Sequence, residues 1–346
     1  MDKRRAVVDA LTYGFSISVI LALVYLTGEE GLDLLTSPNW ADLAMSFFMT
    51  VLFLEALALR YQVAMRWLYP DEKLSHLSAL YGTSFGMTAG LILSKGVGQL
   101  LGKPAILKAK DGLSLRKGLY ASSLEKVVDL TQSVLLVLPF LLLSQSKDGM
   151  SRKEALELLM FISMASIPIQ ALFLPKVNGA MRVFASWILP LVERLPLKGK
   201  SKVRIKLQEF AMDLQNTANN RTLAFGLVVL SLVKVFLMAG RIFFLSQAFS
   251  FPIPWELILL GIPVVQLGLV LGFTPGGIGV LEASWFLVFS GEGIPVEIVA
   301  SFLLSFRLTN FLFFPTITLL VATFRKALPA SDSREMGGGN FKGWGQ

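Results

Sequence analysis

The sequence predicts an all-α polytopic membrane protein built as an inverted-topology repeat. Each unit is expected to hold two spans, a re-entrant helical hairpin and one further span, six full spans and two re-entrant segments in all. Three observations carry this expectation. Of 346 residues, 54% are hydrophobic and only 16% charged, and the mean hydropathy is +0.63, well above a soluble domain. Several apolar runs reach the ~20 residues that cross a bilayer. A shift of 181 residues also brings two glycine-rich breaks in those runs into register.

From the N-terminus, MDKRR precedes an apolar run over 7–27. This start looks like a signal peptide, but the run is long and LTGEEG offers no small-residue cleavage site, so a retained first span is expected. Runs at 41–65, 114–144, 155–174, 222–249 and 297–324 supply the other five spans. Residues 76–109 and 256–290 are also apolar, but glycine and proline interrupt them, and neither residue continues an ordinary helix well. Broken backbone in hydrocarbon survives only where protein or a wet cavity supplies hydrogen-bond partners. Both segments therefore read as hairpins, turning at Ser94-Lys95-Gly96-Val97-Gly98 and at Pro275-Gly276-Gly277-Ile278-Gly279. The first repeat is expected over 1–145 and the second over 146–324. The second includes an amphipathic and basic linker over 175–221 that lies on the cytoplasmic surface. Residues 325–346 read as a disordered cytoplasmic tail.

Lys and Arg number 32 against 24 Asp and Glu. Counted over alternate loops, 25 of the basic residues fall on one side and three, all in the 145–154 loop, on the other. The basic side is the cytoplasm, so both termini are expected there, in the cytoplasmic membrane. Topology and attraction to anionic lipid account for the charge, and nucleic acid is not expected as a partner. The count works only if 76–109 returns to the side it left. Cysteine is absent and histidine occurs once, at His76. Disulfides, thiol nucleophiles and Cys/His metal clusters are thereby excluded, and no cofactor or metal is expected.

The 181-residue shift places Gly96-Val97-Gly98 on Gly277-Ile278-Gly279, Lys126 on Arg307, Asp129 on Asn310 and Arg60 on Arg241. It also places Asp111-Gly112-Leu113 on Glu292-Gly293-Ile294. Three crossings separate the two broken segments, so the second copy is upside down relative to the first. That is an architecture of alternating-access transporters.

Charges at bilayer depth are costly and mark function or pairing. Glu125, Lys126 and Asp129 fall near the middle of their span, Arg307 and Asn310 at the matching depth of the last one, and Glu282 just after the PGGIG tip. Lys234 and Arg241 also lie inside a run. Pairing of Glu125 with Arg307, or of Glu282 with Lys126, would merely hold helices together. Arg60 and Glu55 are read as snorkelling from the cytoplasmic end. Two features point instead to a midplane site for a phosphate: cations from both copies, and half-helix N-termini opened by each tip.

PGGIGVLEAS followed by GEGIPVEIVASFLLSFRLTN resembles the signature of the lysylphosphatidylglycerol synthetase transmembrane (flippase-like) family. GVGQLLGKPAIL and SSLEKVVDL are similar to that family's earlier GxG and Glu-Arg-x-x-Asp motifs. The resemblance spans residues 8–325 and implies functional roles for Gly276, Gly277, Gly279, Glu282, Arg307, Glu125, Lys126 and Asp129. Lys126 stands where arginine is usual, and Gln99 where an acid is common. No aminoacyl-transferase domain is expected after Arg325. What the resemblance implies is lipid translocation, without identifying the lipid. The leading expectation is a flippase or scramblase, not a chemical catalyst, for a lipid with an anionic headgroup, a phospholipid or a polyprenyl-phosphate carrier. Substrate binding is assigned to Arg307, Lys126, Glu125, Asp129, Glu282 and Asn310. The tip residues Gly276, Gly277, Gly279, Gly96, Gly98 and Lys95 complete the candidate site. Two alternatives stay open. One is a membrane-embedded lipid-phosphate enzyme using Glu125 and Asp129; the other is a non-catalytic partner of a glycosyltransferase or lipid synthase, docking through 175–221.

Overall fold

The computed structural model describes residues 18–29, 32–33, 35–93, 98–145, 151–170, 221–271, 274 and 276–327. The N-terminal part of the first expected span, the tip residues Lys95 and Gly96, Pro275, the linker up to residue 220 and the tail beyond 327 lie outside them. Among the described residues every regular element is a helix. They are α1 (Ser18–Glu29), α2 (Trp40–Leu68), α3 (His76–Ile92), α4 (Lys103–Asp111), α5 (Leu115–Leu136) and α6 (Leu138–Gln145). Next come α7 (152–170), α8 (Arg221–Ala248), α9 (Trp255–Leu271), α10 (Val280–Ser290) and α11 (Val296–Ala327). Of these, α2, α8 (from Thr222) and α11 are long and apolar enough to cross a membrane.

Local chemistry sets the helix ends. Asn39 caps α2 by accepting the Ala41 N–H at 3.0 Å, and Ser75 caps α3 through the Ser78 N–H at 3.2 Å. Pro104 sits in the first turn of α4, where its missing N–H is harmless. That helix stops at Gly112, whose φ of +71° is left-handed. The single span expected over 114–144 is instead two helices that part at Val137. Pro139 explains the break, because it cannot donate back to Leu135 and its ring crowds that carbonyl.

Helices α2 and α8 form the longest seam, running antiparallel. The Asn39 N–H donates to the Ala248 carbonyl at 2.7 Å, and Ser46 Oγ donates to the Arg241 carbonyl at 2.8 Å. Toward the other end, Val63 lies against Gly226. Apolar lipid gives helices no hydrophobic reason to associate, so close approach through small residues does the work. Both broken segments are helical hairpins built this way. In the first, α3 meets a π-helical turn, Gly98–Gly102, and then α4. A Cβ at Gly98 would stand 2.3 Å from the Gly90 nitrogen, and one at Gly86 3.2 Å from Lys103 Cβ. In the second, Gly268 and Gly261 of α9 receive Ser284 and Trp285 of α10 just as closely. The hairpins cross over: α3 packs on α11 through Thr88–Thr318 at 2.8 Å, and α9 packs on α5 through Ser133–Gln266 at 3.2 Å.

Trp285 stacks on Phe289 at 4.9 Å and meets Phe302 edge-on, which fixes α10 against α11. Two ion pairs tie opposite ends of α11. Arg325 binds Asp111 at the close of α4, and Arg152 of α7 binds Glu292, just ahead of α11, at 2.8 Å.

Candidate functional site

Two polar clusters are buried among these helices. The first gathers on α5, where Glu125 and Asp129 are four residues apart and share a face. Arg60 of α2 donates from Nε to Glu125 Oε1 at 3.1 Å and from Nη1 and Nη2 to the two Asp129 oxygens. Lys103, at the start of α4, reaches Glu125 Oε2 at 2.7 Å and also lies over the Tyr61 ring. Lys234 of α8 reaches Asp129 Oδ1 at 2.5 Å and Gln266 at 3.3 Å. Each carboxylate is thus held by two cations, and five helices are drawn to one point.

This pairing differs from both expected ones: Glu125 does not meet Arg307, and Glu282 does not meet Lys126. Arg60 does not snorkel either. It is 3% exposed, because α2 continues two turns beyond it and buries it against α5. Glu55, by contrast, is partly exposed and pairs with His76 at 2.6 Å. Lys126 sits at the rim, its side chain 33% exposed, hydrogen-bonded to Gln99 and 4.0 Å from Asp129.

The second cluster surrounds the other hairpin tip. Gly276 and Gly277 have φ of +61° and +68°, and Gly279 +90°, conformations that exclude most L-residues. The Gly276 N–H donates to the Leu93 carbonyl at the end of α3 at 2.6 Å, so this tip lands where α3 stops. Arg307 of α11 donates from Nη1 to the Gly276 carbonyl and from Nε to Glu282 Oε1, each at 2.7 Å. Glu282 in turn accepts the Gly279 N–H at 2.7 Å. Arg307, Glu282 and the tip form one hydrogen-bonded unit. The tip amides expected to face a phosphate are engaged by the protein: Gly276 by Leu93, Gly277 by Thr274 and Gly279 by Glu282.

Beside this unit lies Arg241 of α8, which no sequence argument had placed in the site. Its Nη2 donates to Asn310 Oδ1, and its guanidinium faces Phe53, Phe306 and Phe314. A cavity of about 30 Å³ is lined by Arg241, Arg307, Asn310, Gly276 and an apolar wall that includes Met87 and Phe306. It has room for a water or two.

The sequence profile of the lysylphosphatidylglycerol synthase TM region family matches residues 11–318. The chain belongs to that family. No curated protein matches it. The lysylphosphatidylglycerol synthase TM family is lipid-related, and this member is a multi-pass membrane domain with its motif residues divided between the two clusters. Glu125, Lys126 and Asp129 belong to the first; Gly276, Gly277, Gly279, Glu282, Arg307 and Asn310 belong to the second. Gly98 opens the π-helical turn beside the first.

Lys103, Arg60, Lys234 and Arg241 are the cluster cations that the sequence does not assign to the site: Arg60 reads as snorkelling, and Lys234 and Arg241 only as charges inside a run. Lys103 is among the 25 basic residues counted on the cytoplasmic side, although a hairpin turning at Gly98 puts it inside. Arg60 and Arg241 were legible through the 181-residue shift, which aligns them with each other and their partners Asp129 and Asn310 likewise.

Proposed function

We propose that the chain is a translocase, rather than a chemical catalyst, that moves a lipid with an anionic headgroup across the cytoplasmic membrane by alternating access within an inverted repeat. The observation that carries the reading is the cavity between hairpin tip and α8, which two arginines line while one carboxylate, Glu282, pairs with only one of them, Arg307. Anions favour such a place, and guanidinium groups suit phosphate.

The helix bounds support the repeat. Shifted by 181, Trp40–Leu68 becomes 221–249, against Arg221–Ala248 for α8. Likewise α5 and α6 together, 115–145, become 296–326, against Val296–Ala327 for α11. The mates α2 and α8 run antiparallel, as copies of opposite orientation would. Both hairpins then enter and return, meeting near the midplane. The ion pairs Arg325–Asp111 and Arg152–Glu292, at opposite ends of α11, are placed to close the two faces in turn.

The embedded-enzyme alternative relied on Glu125 and Asp129. Each carboxylate is clamped by two cations, an arrangement suited to holding helices rather than to passing protons.

Reconstitution tests the reading. Purified protein in liposomes carrying fluorescent lipids of different headgroups should hasten the loss of protection from a membrane-impermeant quencher for anionic headgroups. Protection lost no faster than in protein-free vesicles, for every anionic lipid, refutes it.

A further inference from the structure

Arg60 and Arg241 stand 181 residues apart, and so do the side chains they hold, Asp129 and Asn310. In one copy the guanidinium meets a carboxylate; in the other it meets a neutral amide of the same shape. Arg241 is 4% exposed. Among the described residues it meets Asn310 and the faces of Phe53, Phe306 and Phe314, at 5.9, 5.2 and 5.1 Å. Arginine does not give up its proton in a protein, so this charge is permanent. Aromatic faces and one amide soften the cost of burying it but do not cancel it. The cavity's other cation, Arg307, is already matched by Glu282 at 2.6 Å. The site therefore holds one positive charge in excess, at Arg241, on a wall of phenylalanine and methionine.

We propose that Arg241 is the anion-binding group of this cavity, and that Asn310, by being an amide, leaves it open to a ligand of one negative charge, a phosphodiester. The proposal builds on the translocase reading but concerns binding alone. A phosphodiester lipid with an uncharged headgroup carries one net negative charge and neutralises the site, whereas the choline of phosphatidylcholine brings back a positive one. A phosphomonoester carries up to two near neutral pH and would leave a buried surplus. The phenylalanines and methionines around the guanidinium offer apolar contact to the carbon on both sides of a diester. Asn310 is the specificity-determining residue, because an aspartate there would satisfy Arg241 from within, as Asp129 satisfies Arg60.

The test uses the full chain in phosphatidylcholine nanodiscs titrated with phosphatidylglycerol, a diester, or phosphatidic acid, a monoester, with binding read by native mass spectrometry. Wild-type protein should bind phosphatidylglycerol saturably and more tightly than phosphatidic acid. Asn310→Asp should weaken phosphatidylglycerol binding roughly ten- to hundredfold, the loss of one charge-assisted contact, without lowering the melting temperature. Arg241→Gln should lose the binding as well. Competition by soluble glycerophosphoglycerol would make the diester alone sufficient; its failure to compete would make the whole lipid the ligand. Undiminished binding in Asn310→Asp, equal affinity for the monoester, or no saturable binding by wild type overturns the proposal. Wild-type protein that binds but does not flip lipid refutes the translocase reading and leaves this site standing.

Discussion

Replacing Gly276 by alanine should damage the protein more than the same change at Gly277, although the two adjoin. Both have left-handed backbone, so an added Cβ costs roughly 1–2 kcal/mol at either position. Their surroundings differ. At Gly276 the new Cβ would stand 3.0 Å from the Leu91 carbonyl and 3.4 Å from Arg307 Nη1. The carbonyl belongs to α3 and cannot swing aside, so the tip must withdraw from α3. Withdrawal stretches the 2.6 Å hydrogen bond from the Gly276 N–H to Leu93, worth about 1 kcal/mol, and drags Arg307 with it. The total is about 2–3 kcal/mol, a sizeable part of a fold's ~5–15 kcal/mol. At Gly277 the neighbour is Leu269 Cδ2 at 2.7 Å, the free end of a side chain that can rotate, which leaves little beyond the backbone cost. Unfolding in detergent followed by tryptophan fluorescence compares the two variants directly. Equal stabilities, or Gly277→Ala as the less stable, would refute the claim that this tip is held by α3.

Three other outcomes are expected. Glu125→Gln strips the charge that holds Arg60 and Lys103 and should cost about 3–5 kcal/mol in the same assay, whereas Lys126→Ala at the rim should cost less than about 1 kcal/mol. Arg307→Leu alone leaves Glu282 buried without its cation and should be unstable. Adding Glu282→Leu should recover most of the stability but no lipid translocation in vesicles, and translocation at the wild-type rate would reduce the pair to a structural clamp. A single cysteine at position 110, in a chain that has none, should react with an impermeant maleimide only from the cytoplasmic side; labelling from outside would end the re-entrant reading of the first hairpin.

Much of the helical layout is legible in the sequence because it depends on local properties. A long apolar run makes a helix such as α2 or α11, and Gly276-Gly277 can only be a turn. What escaped depended on neighbours distant in sequence. Arg60 looked like a helix-end cation because the apolar run fades near residue 65, yet the helix holds to Leu68 and keeps the arginine inside. Pro139 was visible in the run 114–144 and was read through, since hydropathy does not register a missing N–H. The pairing of Glu125 with Arg60 and Lys103 needs three helices docked in one register, and no window on a single strand of sequence contains that. The internal shift had already aligned Arg60 with Arg241 and Asp129 with Asn310. It gave the two pairs without saying that each is a contact.

Lys234 and Arg241 are seven residues apart on α8, two turns and ~10 Å along one face, each engaged in a different cluster. The helix therefore behaves like a shaft with two keys cut in line. Torsion or sliding that reseats Arg241 around a ligand also pulls at the lysine seated on Asp129. If a ligand at Arg241 turns or slides the helix, occupancy of one cluster and integrity of the other are linked by a single free energy, equal in both directions. A loosened Lys234–Asp129 contact would be felt as altered affinity at Arg241, two turns away, without touching the ligand.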